Sequence, residues 1–109
     1  MDAVALLRLV SEGTRHAILD ELRKGDRTVT QLIAALDDEQ SNISHHLGTL
    51  REAGLVVCRK DGRHQHYRLS DSEVAKVLEQ VESLAARLEQ LAYTSSLGLP
   101  VDAGFHGYG

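Results

Sequence analysis

The sequence predicts a mainly α-helical domain that carries one small β-hairpin. Three observations support this prediction: apolar residues recur at helical spacing up to Leu50, the period changes to two after Gly54, and helical spacing returns after Ser70. The predicted order is two helices, a short helix, a turn, a fourth helix, a two-stranded hairpin and a long fifth helix. This order is typical of a winged helix-turn-helix domain.

The first two predicted helices differ in how much apolar surface they carry. Apolar residues surround most of the predicted helix at residues 2–10. This is more apolar surface than a helix exposed to water would carry. The second helix, at residues 14–24, ends at Gly25 and has a single inward face. That face consists of Ile18, Leu19 and Leu22. The first helix is therefore expected to need a partner surface.

A capping box and an acidic turn delimit the short third helix. Thr28-Val-Thr-Gln31 has the spacing of a capping box, and apolar residues at helical spacing follow it. The acidic run at 37–39 is the predicted turn, with Asp38 as the N-cap of the fourth helix.

The fourth helix is the predicted DNA-reading element. Ile43, Leu47 and Leu50 share one face, so the opposite face, around Gly48, carries short polar side chains with almost no charge. Such side chains can donate to and accept from base edges in a major groove, and glycine lets the backbone approach the nucleic acid. The alternative, a solvated face, would be expected to carry Lys and Glu pairs. The predicted DNA contacts of this helix are Gln40, Ser41, Asn42, Ser44, His45, His46, Thr49 and Arg51.

A hairpin with a basic face is predicted after this helix. Strand-like runs at 56–60 and 64–69 flank Asp61-Gly62, a pair that favours a two-residue type I′ turn. Alternation places three residues on one face of the second strand: Gln65, Tyr67 and Leu69. The other face and the turn supply the predicted contacts to phosphates or a minor groove: Arg63, His64, His66 and Arg68. The alternative is an exposed hairpin whose charge is incidental.

Charge is distributed unevenly along the chain. The whole sequence has 12 basic and 16 acidic residues and a net charge of −4. The segment from Ser41 to Arg68 carries a local net charge of +3, so the remainder carries −7. An acidic body with one basic patch orients the encounter with DNA and limits unspecific binding. Four of the six histidines also lie in this segment, so DNA affinity is expected to rise at mildly acidic pH and to fall with salt.

The last predicted helix, within Ser70 to Tyr93, has a regular apolar seam. The seam residues are spaced alternately by three and four: Val74, Val77, Val81, Leu84, Leu88 and Leu91. A seam of this regularity favours a partner helix, and together with the first helix it predicts a homodimer. The two DNA-reading helices would address half-sites about one helical turn, roughly 34 Å, apart on a palindromic operator. The alternative is that this helix packs only on its own domain.

Three short motifs resemble the ArsR/SmtB family of bacterial metal-responsive repressors. They are Ser41-Asn-Ile-Ser-His-His-Leu47, Leu50-Arg-Glu-Ala-Gly-Leu-Val56, and Gly62-Arg63 followed by Tyr67-Arg-Leu69. The likeness covers about residues 5–93. The resemblance implies a dimer that blocks transcription from an operator and is usually released when it binds its ligand, a divalent metal such as nickel or zinc.

The metal ligands that the resemblance implies are incomplete. The helix at 29–36, which carries clustered cysteines in thiolate sensors, has none. In the last helix Asp71 matches an expected ligand, but Glu73 stands where a histidine is expected, and Leu84 and Arg87 occupy the two later positions. Ser70-Asp-Ser-Glu73 also has the spacing of a capping box, which explains Glu73 without a metal.

Other residues offer a metal site of a different kind. Imidazole and carboxylate groups suit Ni and Zn. The candidate metal ligands are His64, His66, Asp71, Glu73 and His106. For the two histidines of the hairpin, a phosphate contact is the favoured alternative.

One domain is expected at residues 1–93, followed by a flexible, Gly-rich tail at 94–109. The sequence shows no apolar run that would span a membrane, no signal-peptide pattern and a single cysteine, so a reduced, cytoplasmic setting is expected. It shows no catalytic constellation, so an enzyme is not expected. The expected function is a dimeric, sequence-specific transcriptional repressor that responds to Ni or Zn. The alternative is a winged-helix regulator without direct metal sensing, controlled by a protein co-regulator or by oxidation of Cys58.

Overall fold

The computed structural model describes residues 1–98, and within them the chain forms five helices and a three-stranded sheet. The elements in chain order are α1 (Ala3–Ser11), α2 (Gly13–Arg23), β1 (Arg27–Thr28), α3 (Val29–Leu36), α4 (Gln40–Glu52), β2 (Val56–Asp61), β3 (His64–Leu69) and α5 (Ser72–Ser96). The described residues divide into two compact units, one that ends at Ala75 and one that begins at Lys76. The predicted winged helix-turn-helix class is confirmed, with β1 as an added strand.

Acidic side chains begin the first two helices. Asp2 Oδ1 accepts the backbone N–H of Ala5 at 2.8 Å, and Glu12 Oε2 accepts that of Arg15 at 2.8 Å. Each carboxylate accepts from an N–H group that has no partner within its helix. Its negative charge is also stabilised by the positive N-terminal end of the helix dipole. Glu12 is the C-cap of α1 as well as the N-cap of α2, so it forms the corner between the two helices.

Thr28 joins β1 to α3. Its Oγ1 accepts the N–H of Gln31 at 3.2 Å, while Oε1 of Gln31 accepts the N–H of Thr28 at 2.8 Å. This reciprocal pair is the capping box that the sequence predicts. The helix then ends at Asp37, which adopts the left-handed conformation with φ 50°.

The turn before α4 differs from the prediction by one residue. The N-cap of α4 is Glu39, whose side chain makes no capping hydrogen bond, rather than Asp38. Asp38 lies in the turn before α4 and accepts hydrogen bonds from two residues at the start of the helix. Its Oδ1 accepts the N–H of Glu39 at 2.7 Å, and its Oδ2 accepts the side-chain amide of Asn42 at 2.8 Å.

The sheet has the order β1-β3-β2, and all its pairs are antiparallel. β3 pairs with β2 along its whole length. β1 lies on the other side of β3, with Arg27 opposite Tyr67 and Thr28 opposite His66. A strand of two residues shows no alternation, and the sequence therefore did not predict it.

The hairpin turn lies one residue later than predicted. Asp61 pairs with His64, so the two loop residues are Gly62 and Arg63 rather than Asp61 and Gly62. Of these two, only Gly62 has a positive φ, 62°. A positive φ at the first loop position alone fits a type II′ turn, not the predicted type I′.

The core of the first unit lies between α2, α3, α4 and one face of the hairpin. Its buried residues are Ile18, Leu19, Leu22, Leu32, Ile43, Leu47, Leu50, Val56 and Tyr67. The predicted inward faces of α2 and α4 are among them. Burying each large aliphatic side chain contributes about 1.5–3 kcal/mol relative to leaving it exposed. This burial decides which face of α4 is left at the surface.

Both ends of α5 differ from the prediction. Oδ1 of Asp71 accepts the N–H of Glu73 at 2.9 Å, so Asp71 caps the helix and not Ser70. The helix continues to Ser96, beyond the predicted end at Tyr93. Within residues 1–98, α5 and the other helices are too short or too polar to cross a membrane.

Candidate nucleic-acid interface

α4 presents a polar face because its opposite face is held in the core. Ile43, Leu47 and Leu50 are 0–1% exposed. The exposed side carries Gln40, Ser41, Ser44, His45, Gly48 and Arg51. A Cβ built at Gly48 would meet nothing within 4 Å, so the backbone is open to close approach at that point. Short hydroxyl and imidazole groups on such a face have the size and hydrogen-bonding capacity needed for base edges.

Two predicted contacts of α4, Asn42 and Thr49, are hydrogen-bonded within the protein. Asn42 donates to Asp38, and Oγ1 of Thr49 donates to the carbonyl of His45 at 3.2 Å. Both residues are half-buried. These internal bonds use one donor of each side chain, so Thr49 could still accept from a base, and Asn42 retains its Oδ1 acceptor and a second N–H.

His46 lies on the side of α4 that faces α2. Its side chain is 12% exposed, and Nδ1 lies 3.3 Å from Nη1 of Arg15 and 3.7 Å from Oε2 of Glu12. The predicted DNA contact of His46 therefore falls on a side chain that is mostly covered in this structure. Consecutive residues of an α-helix point about 100° apart, so His45 is exposed while its neighbour is turned toward α2.

Two carboxylates near these helix ends have lowered pKa values. The backbone N–H of Arg15 holds the pKa of Glu12 below its ordinary value, and the charges of His46 and Arg15 add to the effect. The side-chain amide of Asn42 lowers the pKa of Asp38, together with the N–H of Glu39 and the charge of His46. Both groups are therefore anions at neutral pH.

The hairpin, residues 56–69 and hereafter the wing, exposes basic side chains. They are Arg59, Lys60, Arg63, His64 and Arg68. His66 is half-buried, because β3 is the central strand and this residue lies between Thr28 and Arg59. Sequence reasoning did not name Arg59 and Lys60 as contacts, although their position beside the turn is visible in the sequence.

A cleft of about 340 Å³ opens between the wing and the start of α3. Its wing side includes Lys60, Arg63 and His64, and Thr28 and Thr30 belong to the opposite side. The first backbone N–H groups of a helix have no intrahelical partner and favour anions. The cleft is therefore lined by cationic side chains, whose charge is of the sign that a backbone phosphate favours.

Cys58 lies opposite Tyr67 in the register of β2 and β3. Burial raises the pKa of Tyr67, and the neighbouring Cys58 raises it further. The tyrosine hydroxyl donates to Oε1 of Gln65 at 3.3 Å. The thiol is half-buried beside this ring.

Within residues 1–98, the predicted metal ligands are not brought together in one chain. The rings of His64 and His66 have centroids 6.4 Å apart, and Asp71 is engaged as the cap of α5. Among residues 1–98, no group of three candidate ligand atoms within 4.8 Å of one another includes His64, His66, Asp71 or Glu73. His106 lies outside the described residues. Zinc sites use three or four protein ligands, so His64, His66, Asp71 and Glu73 do not form such a site by themselves within the described part of one chain.

Two helices expose apolar side chains. On α1, Val4 is 57% and Leu7 59% exposed, and this helix has no buried residue. On α5, four of the six predicted seam residues are about half exposed: Val77, Val81, Leu84 and Leu88. Val74 and Leu91 are partly covered. Apolar surfaces of this kind are typical of protein interfaces.

Known proteins resemble this chain in sequence and in fold. The family described as bacterial regulatory protein, arsR family, matches residues 6–57. The arsenical resistance operon repressor of Escherichia coli (strain K12) is 44% identical over 70 residues, which are 62% of this chain and 58% of that protein. The biofilm growth-associated repressor of Agrobacterium fabrum (strain C58) is 30% identical over 89 residues, 82% of this chain and 76% of that protein.

A solved structure shows the same architecture. The homodimeric winged helix-turn-helix DNA-binding domain from Mycobacterium bovis, determined by NMR, has a TM-score of 0.71 and 32% identity, covering 80% of this chain and 88% of that domain. The chain spans somewhat under two thirds of the length of the arsenical resistance repressor.

Proposed function

This chain belongs to the ArsR family of bacterial regulatory proteins, and from that premise we propose that it is a sequence-specific, DNA-binding transcriptional repressor that acts as a homodimer. The observation that supports the proposal is the exposed polar face of α4, which carries almost no charge, in the same compact unit as the basic wing. Each surface suits a different part of a DNA duplex.

In the proposed complex α4 enters the major groove. Ser41, Ser44 and His45 contact base edges, and Gly48 allows close approach. Arg63 and the other exposed cations of the wing contact phosphates and position the helix without reading the sequence. Arg51, exposed in the last turn of α4, supplies a further phosphate contact.

The proposed dimer uses the exposed apolar side chains of α1 and of α5. Burying Val77, Val81, Leu84 and Leu88 against a second copy would remove four half-exposed aliphatic groups from water. A two-fold dimer presents two α4 helices, so the operator is proposed to be a palindrome. The homodimeric state of the Mycobacterium bovis domain supports this arrangement.

Selection of duplexes from a random DNA pool tests the proposal. The protein is expected to enrich a palindromic sequence, and fluorescence anisotropy with the enriched duplex should show tighter binding than with a scrambled one. Ser41→Ala should reduce the difference between the two duplexes, whereas Ser11→Ala, the same change at an exposed serine at the end of α1, should preserve it. A pool without enrichment would contradict the proposal.

Control of the repressor by Ni or Zn is the proposed response that the family resemblance favours. Among residues 1–98, the candidate ligands His64, His66, Asp71 and Glu73 do not assemble a site, and this observation favours a second candidate: a regulator controlled by a protein co-regulator or by oxidation of Cys58. Calorimetric titration with Ni(II) and Zn(II) separates the two. Heat that disappears when His64 and His66 are replaced by Ala supports a wing site, and the absence of heat supports the second candidate.

A further inference from the structure

Arg15 connects three helices through its guanidinium group. It belongs to α2, and its Nε donates to the carbonyl of Leu9, in α1, at 2.6 Å. Its Nη1 lies 3.3 Å from Nδ1 of His46, in α4. We propose that Arg15 and His46 couple the position of α1 to the orientation of α4, and that His46 is a positioning residue for DNA recognition.

The surroundings of His46 give its Nδ1 atom two alternative partners. One is the Arg15 guanidinium, which can only donate, and the other is Oε2 of Glu12, which can only accept, 3.7 Å away. The negative charge of Asp38 faces His46 from the turn before α4, and the His45 ring lies 5.1 Å away, centroid to centroid. The group therefore lies among two carboxylates, one guanidinium and one imidazole.

Protonation selects between these partners. A neutral His46 that accepts the Arg15 hydrogen bond at Nδ1 carries its proton on Nε2. When Nδ1 gains a proton, it can no longer accept from Arg15, and the two cations repel each other. The new N–H is then free to donate to Glu12. The link between α4 and Arg15 is thus made in one protonation state and broken in the other.

The consequence for function follows from the surface of α1. This helix exposes Val4 and Leu7, which the proposed function assigns to the dimer. A partner chain that covers this face would fix the position of α1. The carbonyl of Leu9, in α1, accepts a hydrogen bond from Arg15, and Arg15 in turn contacts His46 of α4. Dimer formation and DNA reading are therefore coupled by a two-state contact and not only by the spacing of half-sites.

The first test does not depend on DNA. Long-range ¹H–¹⁵N NMR of the imidazole at pH 8 is expected to show His46 as the Nε2–H tautomer. In the Arg15→Gln variant it should show a mixture of the Nε2–H and Nδ1–H tautomers. A dominant Nδ1–H form in the parent protein would overturn the proposal, because Nδ1 would then be donating to Glu12.

The second test rests on the proposed function and is a double-mutant cycle. Arg15→Gln and His46→Ala are each expected to weaken anisotropy-measured affinity for the selected duplex about fivefold, and the double variant no further. His46→Asn keeps a non-titrating acceptor near the Nδ1 position and should restore most of the affinity while removing the part of the acid-side loss of affinity that comes from protonation of His46. His16→Asn makes the same substitution at a histidine of α2 whose side chain is 39% exposed. This control variant should show the same dependence of DNA affinity on pH as the parent protein.

The outcomes of the two tests are distinct. Independent, multiplicative losses for Arg15 and His46 would overturn the coupling. If the parent protein selects no duplex, the proposed function fails, and the NMR measurement alone decides whether Arg15 and His46 are linked. Where His46→Ala does not fold, as judged by circular dichroism, His46→Leu, which fills space without an acceptor, takes its place in the cycle.

Discussion

The side-chain amide of Asn42 donates to Oδ2 of Asp38 at 2.8 Å, which ties the first turn of α4 to the loop before it. The same carboxylate accepts the N–H of Glu39 at 2.7 Å. One aspartate therefore holds the turn that separates α3 from the proposed DNA-reading helix.

This contact predicts a loss of stability in acid. The folded-state pKa of Asp38 is lowered, first by the Asn42 amide, and that of Glu12 is lowered, first by the Arg15 N–H. A lowered pKa contributes stability above the unfolded-state pKa, and this contribution disappears as the pH falls through the folded-state pKa. The free energy of unfolding should therefore decrease as the pH falls below about 5. Urea unfolding at a series of pH values measures it.

Two variants identify the source of that acid dependence. Asp38→Asn and Asn42→Ala should both lower stability at pH 7 and give a shallower dependence on pH in the acid range. If both variants keep the parent slope, the Asp38 contact is not responsible.

The left-handed residue at the end of α3 predicts a stabilising change. Asp37 has φ 50°, where glycine meets no steric penalty and a β-branched residue meets a large one. Asp37→Gly is expected to raise the free energy of unfolding by up to about 1 kcal/mol, and Asp37→Val to lower it by about 1–2 kcal/mol. Urea unfolding of the two variants at one pH compares them. An equal effect of both would show that φ is not the cause.

Specificity and affinity should respond to different residues. Arg63→Ala is expected to weaken binding to selected and scrambled duplexes alike and to lower the salt slope by about 1. His45→Ala should instead reduce the preference for the selected duplex. Anisotropy titrations at three salt concentrations distinguish these effects, and an Arg63 variant that alters sequence preference would place the wing in a base-reading role.

The exposed seam of α5 predicts the effect of a charge on assembly. Leu84 is 52% exposed, and Leu84→Glu would place a carboxylate in the proposed interface. Light scattering at micromolar concentration should then report a single chain, whereas the parent protein should be a dimer. Ser83→Glu adds the same charge one residue away, outside the seam, and should remain dimeric. A dimeric Leu84→Glu variant would move the interface elsewhere.

Periodicity accounts for what the sequence predicted well. Ile43, Leu47 and Leu50 repeat at helical spacing, so the buried face of α4 and its exposed counterpart followed directly. The capping box of Thr28 and Gln31 was equally visible, because both partners lie within four residues. Local patterns of this kind depend on neighbouring positions only.

Contacts between distant positions account for what the sequence did not predict. Arg15 and His46 are 31 positions apart, and nothing in their local sequence indicates that they meet. His46 was expected to contact DNA together with Ser44 and His45, but its side chain is only 12% exposed. The hairpin turn moved by one residue because Gly62 can serve either as the second residue of a type I′ turn or as the first of a type II′ turn.

Thr28 has a mechanical consequence for the wing. It pairs with His66 as part of β1 and also begins α3 through its side chain. If the hairpin moved away and kept its pairing with Thr28, α3 would lose its N-cap. The hairpin and α3 are thus expected to unfold together, so that a change that destabilises one of them also destabilises the other.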